Sequence, residues 1–244
     1  MRRTVAGLAL IGLLNSAPPP AGLAQSPVPA IRFAPPVDQP LAYRVSQRIG
    51  TGKAQQHFES VRHLRFTPDR DGYRMTVVLH SMTGDAPADA LARYRAALSP
   101  MVGMAQHLRI DGSGRVIAID NLDAVWTAFM QGQRALLALS GESDARQAAF
   151  AHLERLDPAG RLAVLAGDVQ PLMLFASGIP LASMRREQGI DAGTSRFSEA
   201  DEARGLTAHY VVDDATGLVL RAGRDVEQPG RSVRETRLLA PMSE

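Results

Sequence analysis

Histidine is the side chain best suited to chemistry near neutral pH, and five of the six histidines fall in segments with strand character: His57, His63, His80, His107 and His209. Strand alternation sends successive side chains to opposite faces. His57 and His63 oppose Phe58, Leu64 and Phe66, and His80 opposes Tyr73, Met75, Val77 and Leu79. His107 opposes Leu108 and Ile110, while His209 opposes Leu206, Ala208, Tyr210 and Val212. All five therefore sit on the more polar side of whatever sheet they form. Two or three such imidazoles converging with a carboxylate such as Glu59 would make a transition-metal site. The plainer account is the solvated face of a one-sided antiparallel sheet, which alternation of this kind requires. No HExxH and no close histidine pair at helical spacing is present.

Other chemistry-bearing patterns fail on spacing. Gly50-Thr51-Gly52-Lys53 has the ending of a phosphate loop, but Gln47 stands where the first glycine is needed and Ala54 where the magnesium-binding hydroxyl is needed. There is no GxGxxG, no GxSxG elbow and no SxxK partner for Lys53, the sole lysine. Asp69-Arg70-Asp71-Gly72 lacks the later ligands of a calcium loop and reads as turn chemistry. Asp213-Asp214 occupies a hairpin turn, and Glu199, Asp201 and Glu202 are expected in a loop. Cysteine is absent, which excludes disulfides and thiolate metal sites. No cofactor motif is present, and the chain is expected to be non-enzymatic.

The elements that would position these residues run as strands, then helices, then strands. Leu41–Ile49 and His57–Phe66 read as strands, the second ending in a turn cluster at Thr67-Pro68-Asp69 and Asp71-Gly72. Alternation continues over Tyr73–His80. Two hairpins follow the same design, Met104–Ile110 with Arg115–Asp120 across Asp111-Gly112-Ser113-Gly114, and Leu206–Val212 with Leu218–Ala222 across 213–217. A last strand covers Ser232–Leu239. Helices are expected over Ala86–Ser99, from Asp120 or Asn121 weakly across Gly132 to Leu139, from Ser143 to Leu156, from Asp157 to Ala166, and from an Asp168 cap to Gly178. Leu122, Val125, Trp126, Phe129 and Met130 form one apolar helical stripe. Strands at both ends with helices between predict an α+β fold, a curved antiparallel sheet with helices packed against one face.

Arg2 and Arg3 precede the apolar run Val5–Leu14, and Gly22 and Ala24 stand at −3 and −1 of a cut before Gln25. That is the pattern of a secretory signal peptide over residues 1–24. Ten apolar residues fall short of the roughly 20 needed for a spanning helix, so no transmembrane anchor is expected after cleavage. Half of the 16 prolines lie between Pro18 and Pro40, which predicts an extended leader over residues 25–40, ahead of a single domain at 41–244. Without Arg2 and Arg3 the 27 basic residues become 25, equal to the 25 acidic ones. Arginines scattered among acids form no basic stripe, which excludes nucleic acid as a partner.

The order of elements (strands over Leu41–His80, the Met104–Asp120 hairpin, central helices, the Leu206–Ala222 hairpin) resembles the half-barrel periplasmic carriers of lipoproteins and lipids. It is also similar to uncharacterised exported proteins of proteobacteria. The likeness is architectural, covers most of residues 41–240, and transfers no functional residues. It implies a periplasmic or secreted protein holding a lipid-like or other apolar small molecule between its layers. The two apolar faces that must meet are Trp126, Phe129 and Met130 on the helix and Tyr73, Met75, Val77 and Leu79 on the sheet. A periplasmic hydrolase or metal-dependent enzyme using the histidine face is the second reading. A scaffold that binds an envelope protein is the third.

Overall fold

A computed structural model describes residues 31–50, 55–140, 143–176, 184–187, 192–228 and 231–242. The expected signal segment, the start of the expected proline leader and the expected loop at Lys53 lie outside the described residues. The elements are β1 (Leu41–Ile49), β2 (Gln56–Asp69), β3 (Gly72–Asp85), α1 (Ala88–Leu98), β4 (Ala105–Asp111), β5 (Val116–Ile119), α2 (Leu122–Ser140), α3 (Asp144–Glu154), α4 (Pro158–Ala166), β6 (Arg185–Glu187), β7 (Thr194–Asp201), β8 (Leu206–Asp213), β9 (Val219–Gln228) and β10 (Arg231–Pro241).

The strands make one antiparallel ten-stranded sheet in the order β5-β4-β3-β2-β1-β10-β9-β8-β7-β6. Two meanders are thus joined at their middle, where the first strand pairs with the last from Leu41↔Pro241 to Ile49↔Val233. The α+β architecture is as expected. One side of the sheet carries the apolar set: Leu41, Tyr43, Leu64, Phe66, Met75, Val77, Leu108 and Ile110 are all buried. The helices cover this side, with Val125, Trp126, Met130, Leu153 and Leu165 in the same core cluster. Alternation survives a bulge because Arg62 pairs with Leu79 while Val61 pairs with Ser81, leaving His80 unpaired and exposed.

The two hairpin turns share one device. The Asp111 carboxylate accepts from the Ser113 and Arg115 amides at 2.9 and 3.0 Å, and that of Asp213 accepts from the Ala215 amide at 2.9 Å. Gly114 (φ +81°) and Gly217 (φ +72°) then supply the left-handed turn that side chains disfavour.

Several boundaries differ from expectation. Thr67, Pro68 and Asp69 are not a turn; they pair with Arg74, Tyr73 and Gly72, so the chain reverses at Arg70-Asp71. Glu199 and Asp201 belong to β7 rather than a loop, and Glu202 starts a short 3-10 turn. The segment TSRFSEAD has one bulky apolar residue, so its strand character comes from pairing with β8 over its whole length. Asp168 caps no helix: α4 ends at Ala166, and a 3-10 turn follows at Gln170–Met173. The far end of the expected helix, at Gly178, lies outside the described residues.

Residues 31–40 are extended, as their prolines require, yet they are fastened to the body. Phe33 is buried and packs edge-on to Tyr73 at 5.3 Å, and the Asp38 amide donates to Phe66 O at 2.8 Å.

Candidate functional site

The helices do not fill the whole inward face of the sheet. A cavity of about 260 Å³ lies between β1–β3 and the helices α1, α2 and α4. Its sheet wall is Val45, Phe58 and Leu79; Leu98, Met101, Phe129, Leu136 and Leu165 face them from the helical layer. Beside it α1 and α2 approach closely, since a Cβ at Gly132 would meet the Ala97 backbone, and Ala97 and Gln133 line the cavity. A second cavity of about 200 Å³ lies between α2 and α3, and Gln133 and Leu136 belong to both.

The cavity is not uniformly apolar. Gln47, Ser60 and Arg62 reach it from the sheet, and Asp168 from the turn after α4. These residues sit at inward positions by register: Tyr43 pairs with Arg62, Val45 with Ser60, and Gln47 with Phe58. On the other side of β1, Gln47 pairs with Glu235 and Val45 with Arg237. The middle of the inward face is therefore a polar belt across β2, β1 and β10.

Its hydrogen bonds form one chain. Arg62 Nη1 donates to Ser60 Oγ at 2.9 Å, and Nη2 donates to the Asp168 carboxylate. Arg237 Nη1 donates to the Asp168 carbonyl at 3.0 Å and to the Tyr43 hydroxyl at 2.9 Å. Arg237 Nε donates to Glu235 Oε1 at 2.6 Å, and Gln47 Nε2 donates to Glu235 Oε2 at 2.7 Å. Arg62 and Glu235 are 7% and 6% exposed, so each charge depends on its partner. Burial works against the Arg237 cation, but Tyr43, Glu235 and Asp168 outweigh it and hold its pKa above the ordinary arginine value. Burial also pushes the Tyr94 phenol, which hydrogen-bonds Ser60, up to about 12.

The seven residues expected to form a ligand contact do meet, in one cluster. Only Phe129 and Leu79 line the cavity. Trp126, Met130, Met75 and Val77 are closed core, and Tyr73 packs at its rim against Phe33. Trp126 has Phe129 at 5.2 Å and the Arg161 guanidinium 5.6 Å above its ring.

The histidines lie on the opposite side of the sheet, and only one pair converges. His63 and His80 stack at 4.1 Å. His57 Nε2 shares a hydrogen bond with Ser46 Oγ at 2.8 Å, and His107 Nδ1 lies 3.4 Å from Thr76 Oγ1. Glu59 is taken by Arg44 at 2.9 Å. His209 on β8 is four strands from His63 on β2, about 19 Å at the usual strand spacing. Among the described residues no group of three or more histidine, cysteine or acidic side chains could hold a metal ion.

Arg62 and Asp168 were not among the expected site residues. The signal for Arg62 was available, since it shares parity with Phe58, Ser60, Leu64 and Phe66. An arginine at a core-facing position is a departure from alternation that marks a polar group with a task. Asp168 carried no such signal, because an aspartate before a helical segment reads as a cap.

No family model matches the sequence, and no curated protein matches it. Among solved structures the chain is similar to lipovitellin, at 8% identity and a TM-score of 0.42, over 84% of this chain and 25% of that one. The chain thus spans a quarter of the lipovitellin chain. It is also similar to a DUF1329 family protein from Desulfovibrio piger, at 11% identity and a TM-score of 0.24, over 84% and 86% of the two chains. A protein domain from Vibrio parahaemolyticus assigned to outer membrane lipoprotein sorting matches at 10% identity and a TM-score of 0.24, again over 84% and 86%. No described helix is long and apolar enough to cross a membrane.

Proposed function

We propose that this protein is an exported binding protein of the cell envelope, released from residues 1–24 and folded over 41–244. It holds the apolar part of a small ligand between its sheet and its helices. The observation that carries this reading is the interlayer cavity, with Val45, Phe58 and Leu79 facing Leu98, Phe129 and Leu165 across about 260 Å³ of space. Interiors are normally close-packed, and ligand sites are concave, mostly apolar and equipped with a few polar groups that set orientation. An engineered apolar cavity of about 150 Å³ accepts benzene, so by proportion this one accommodates roughly ten non-hydrogen atoms.

The test is binding of the fluorescent probe 1-naphthylamine, whose two fused rings match this volume, to protein purified from Gln25 onward, in wild type and in Val45→Phe. Val45 faces the cavity from the central strand. Its replacement puts a ring into the open space, and probe binding is expected to fall at least fivefold with the melting temperature held within a few degrees. If the space were filled core, the same substitution would cost about 1–3 kcal/mol as overpacking. A wild type that leaves the probe dark, or a variant that binds it equally well, overturns the reading. The N-terminal residue of protein recovered from the envelope tests the cut before Gln25.

A further inference from the structure

The geometry points to a ligand class: single-chain amphiphiles with an anionic carboxylate or phosphate head, which Arg62 takes over from Asp168. This inference rests on the cavity reading above and adds the identity of the head group.

Among the described residues of the cavity wall Arg62 carries the positive charge, and it is 7% exposed. A guanidinium cannot lose its proton in a protein, so whatever occupies the cavity must meet a permanent positive charge. Ser60, on the same strand, holds one arm of the fork at 2.9 Å. The other arm is held by the Asp168 carboxylate.

The two partners of this ion pair differ in burial. The Arg62 side chain is 8% exposed, whereas that of Asp168 is 48% exposed. Asp168 therefore caps the buried cation from the solvent side. Its main chain is anchored separately, since Arg237 Nη1 donates to its carbonyl at 3.0 Å. The carboxylate can rotate into water about its own side-chain bonds while the turn after α4 stays in place. Solvent around Asp168 rehydrates the departing carboxylate, and the incoming anion must arrive as it leaves, because a buried cation without a partner is costly. An incoming carboxylate or phosphate then replaces it like for like, with the planar fork of Arg62 as a matched donor. The rest of the ligand follows into space walled by Leu79, Leu98, Phe129 and Leu136. A neutral head offers weaker acceptors, and a cationic head meets Arg62 as a like charge.

The test is calorimetric titration of the protein from Gln25 onward with four ten-carbon probes: decanoate, decyl phosphate, decanol and decyltrimethylammonium. Acetate and inorganic phosphate serve as heads without a chain. Wild type is expected to bind decanoate or decyl phosphate about tenfold tighter than decanol, the scale of one charge-assisted contact, and to reject the cationic probe. Asp168→Asn removes the competitor and is expected to tighten the anionic probes several-fold with decanol unchanged. Arg62→Gln is expected to erase the preference; should it fail to fold, Arg62→Lys is read instead, with a reduced preference expected.

Decanol binding as tightly as decanoate to wild type overturns this inference and leaves the cavity reading standing. So does an equal shift of decanoate and decanol in Asp168→Asn. Binding of acetate or inorganic phosphate as tight as that of the ten-carbon anions overturns the amphiphile class in favour of a free anion. If none of the ten-carbon probes binds, both readings fall.

Discussion

Gly132 lies in the middle of α2, where glycine is a poor helix former, and replacing it with alanine should favour the isolated helix by about 0.8–1 kcal/mol. The tertiary structure reverses that sign. A Cβ at position 132 would lie 2.1 Å from the carbonyl oxygen of Ala97 in α1 and 2.9 Å from its carbonyl carbon. Both atoms are backbone, so no side chain can swing aside. Relieving the contact even to 3.0 Å means parting α1 and α2 by about 0.9 Å. That movement loosens Ala97 and Leu98 on one helix and Phe129 and Gln133 on the other, all of which line the cavity. Overpacking of this kind costs about 1–3 kcal/mol, and a backbone obstacle puts it at the upper end. The net expectation for Gly132→Ala is a loss of about 1–2 kcal/mol after the propensity gain is subtracted. For a chain of this size that is a fall in melting temperature of roughly 2–8 °C. Gly160 in α4 is the matched control. Its added Cβ meets the Leu156 Cδ2 methyl at 2.9 Å, the far end of a flexible side chain. Gly160→Ala should be neutral or raise the melting temperature. Differential scanning calorimetry of both variants checks the pair. A Gly132→Ala protein as stable as wild type would refute the close approach of the two helices, and with it the placement of the cavity wall.

Phe33→Ala should destabilise the protein by about 3 kcal/mol or more, because Phe33 is 4% exposed and inserts between Phe66 and Tyr73; denaturant unfolding reads it, and a loss below about 0.5 kcal/mol would mean residues 31–40 are a free tether. The stacked pair His63 and His80 predicts a pH dependence. Burial, then repulsion from His80, lowers the His63 pKa from 6.5 in the fold, so the unfolded chain takes up the proton first. Stability contributed by this group is present above about 6.5 and declines as the pH falls from there toward the depressed folded value. His80→Ala should flatten the slope of melting temperature against pH between 7.5 and 5.5, and an unchanged slope would discount the pair.

Much of the fold was readable because its signals are local. Alternation in Tyr73–Leu79, the Asp-and-Gly turns at 111–114 and 213–217, and the helical stripe from Leu122 to Met130 each depend on residues a few positions apart. The observed β1 has the expected bounds, Leu41–Ile49, for the same reason. Segment β7 escaped because TSRFSEAD has too few bulky side chains to show a period, and Asp168 escaped because an aspartate can cap a helix or pair with an arginine equally well.

Arg62, Glu235 and Arg237 share strand parity with buried apolar neighbours, a signal that lies in residue order though none of the three was expected at the site. That signal could not say that they meet. The belt joins β2 to β10, and positions 47 and 235 face each other only because the first strand pairs with the last. Strand pairing over such separations is decided by the closing of the whole sheet, not by any stretch of chain. The same holds for the cavity, whose wall is drawn from β1, β2, β3, α1, α2 and α4 together. Which faces are greasy is a property of residue order, and where two greasy faces fail to fill the space between them is a property of the packed molecule alone.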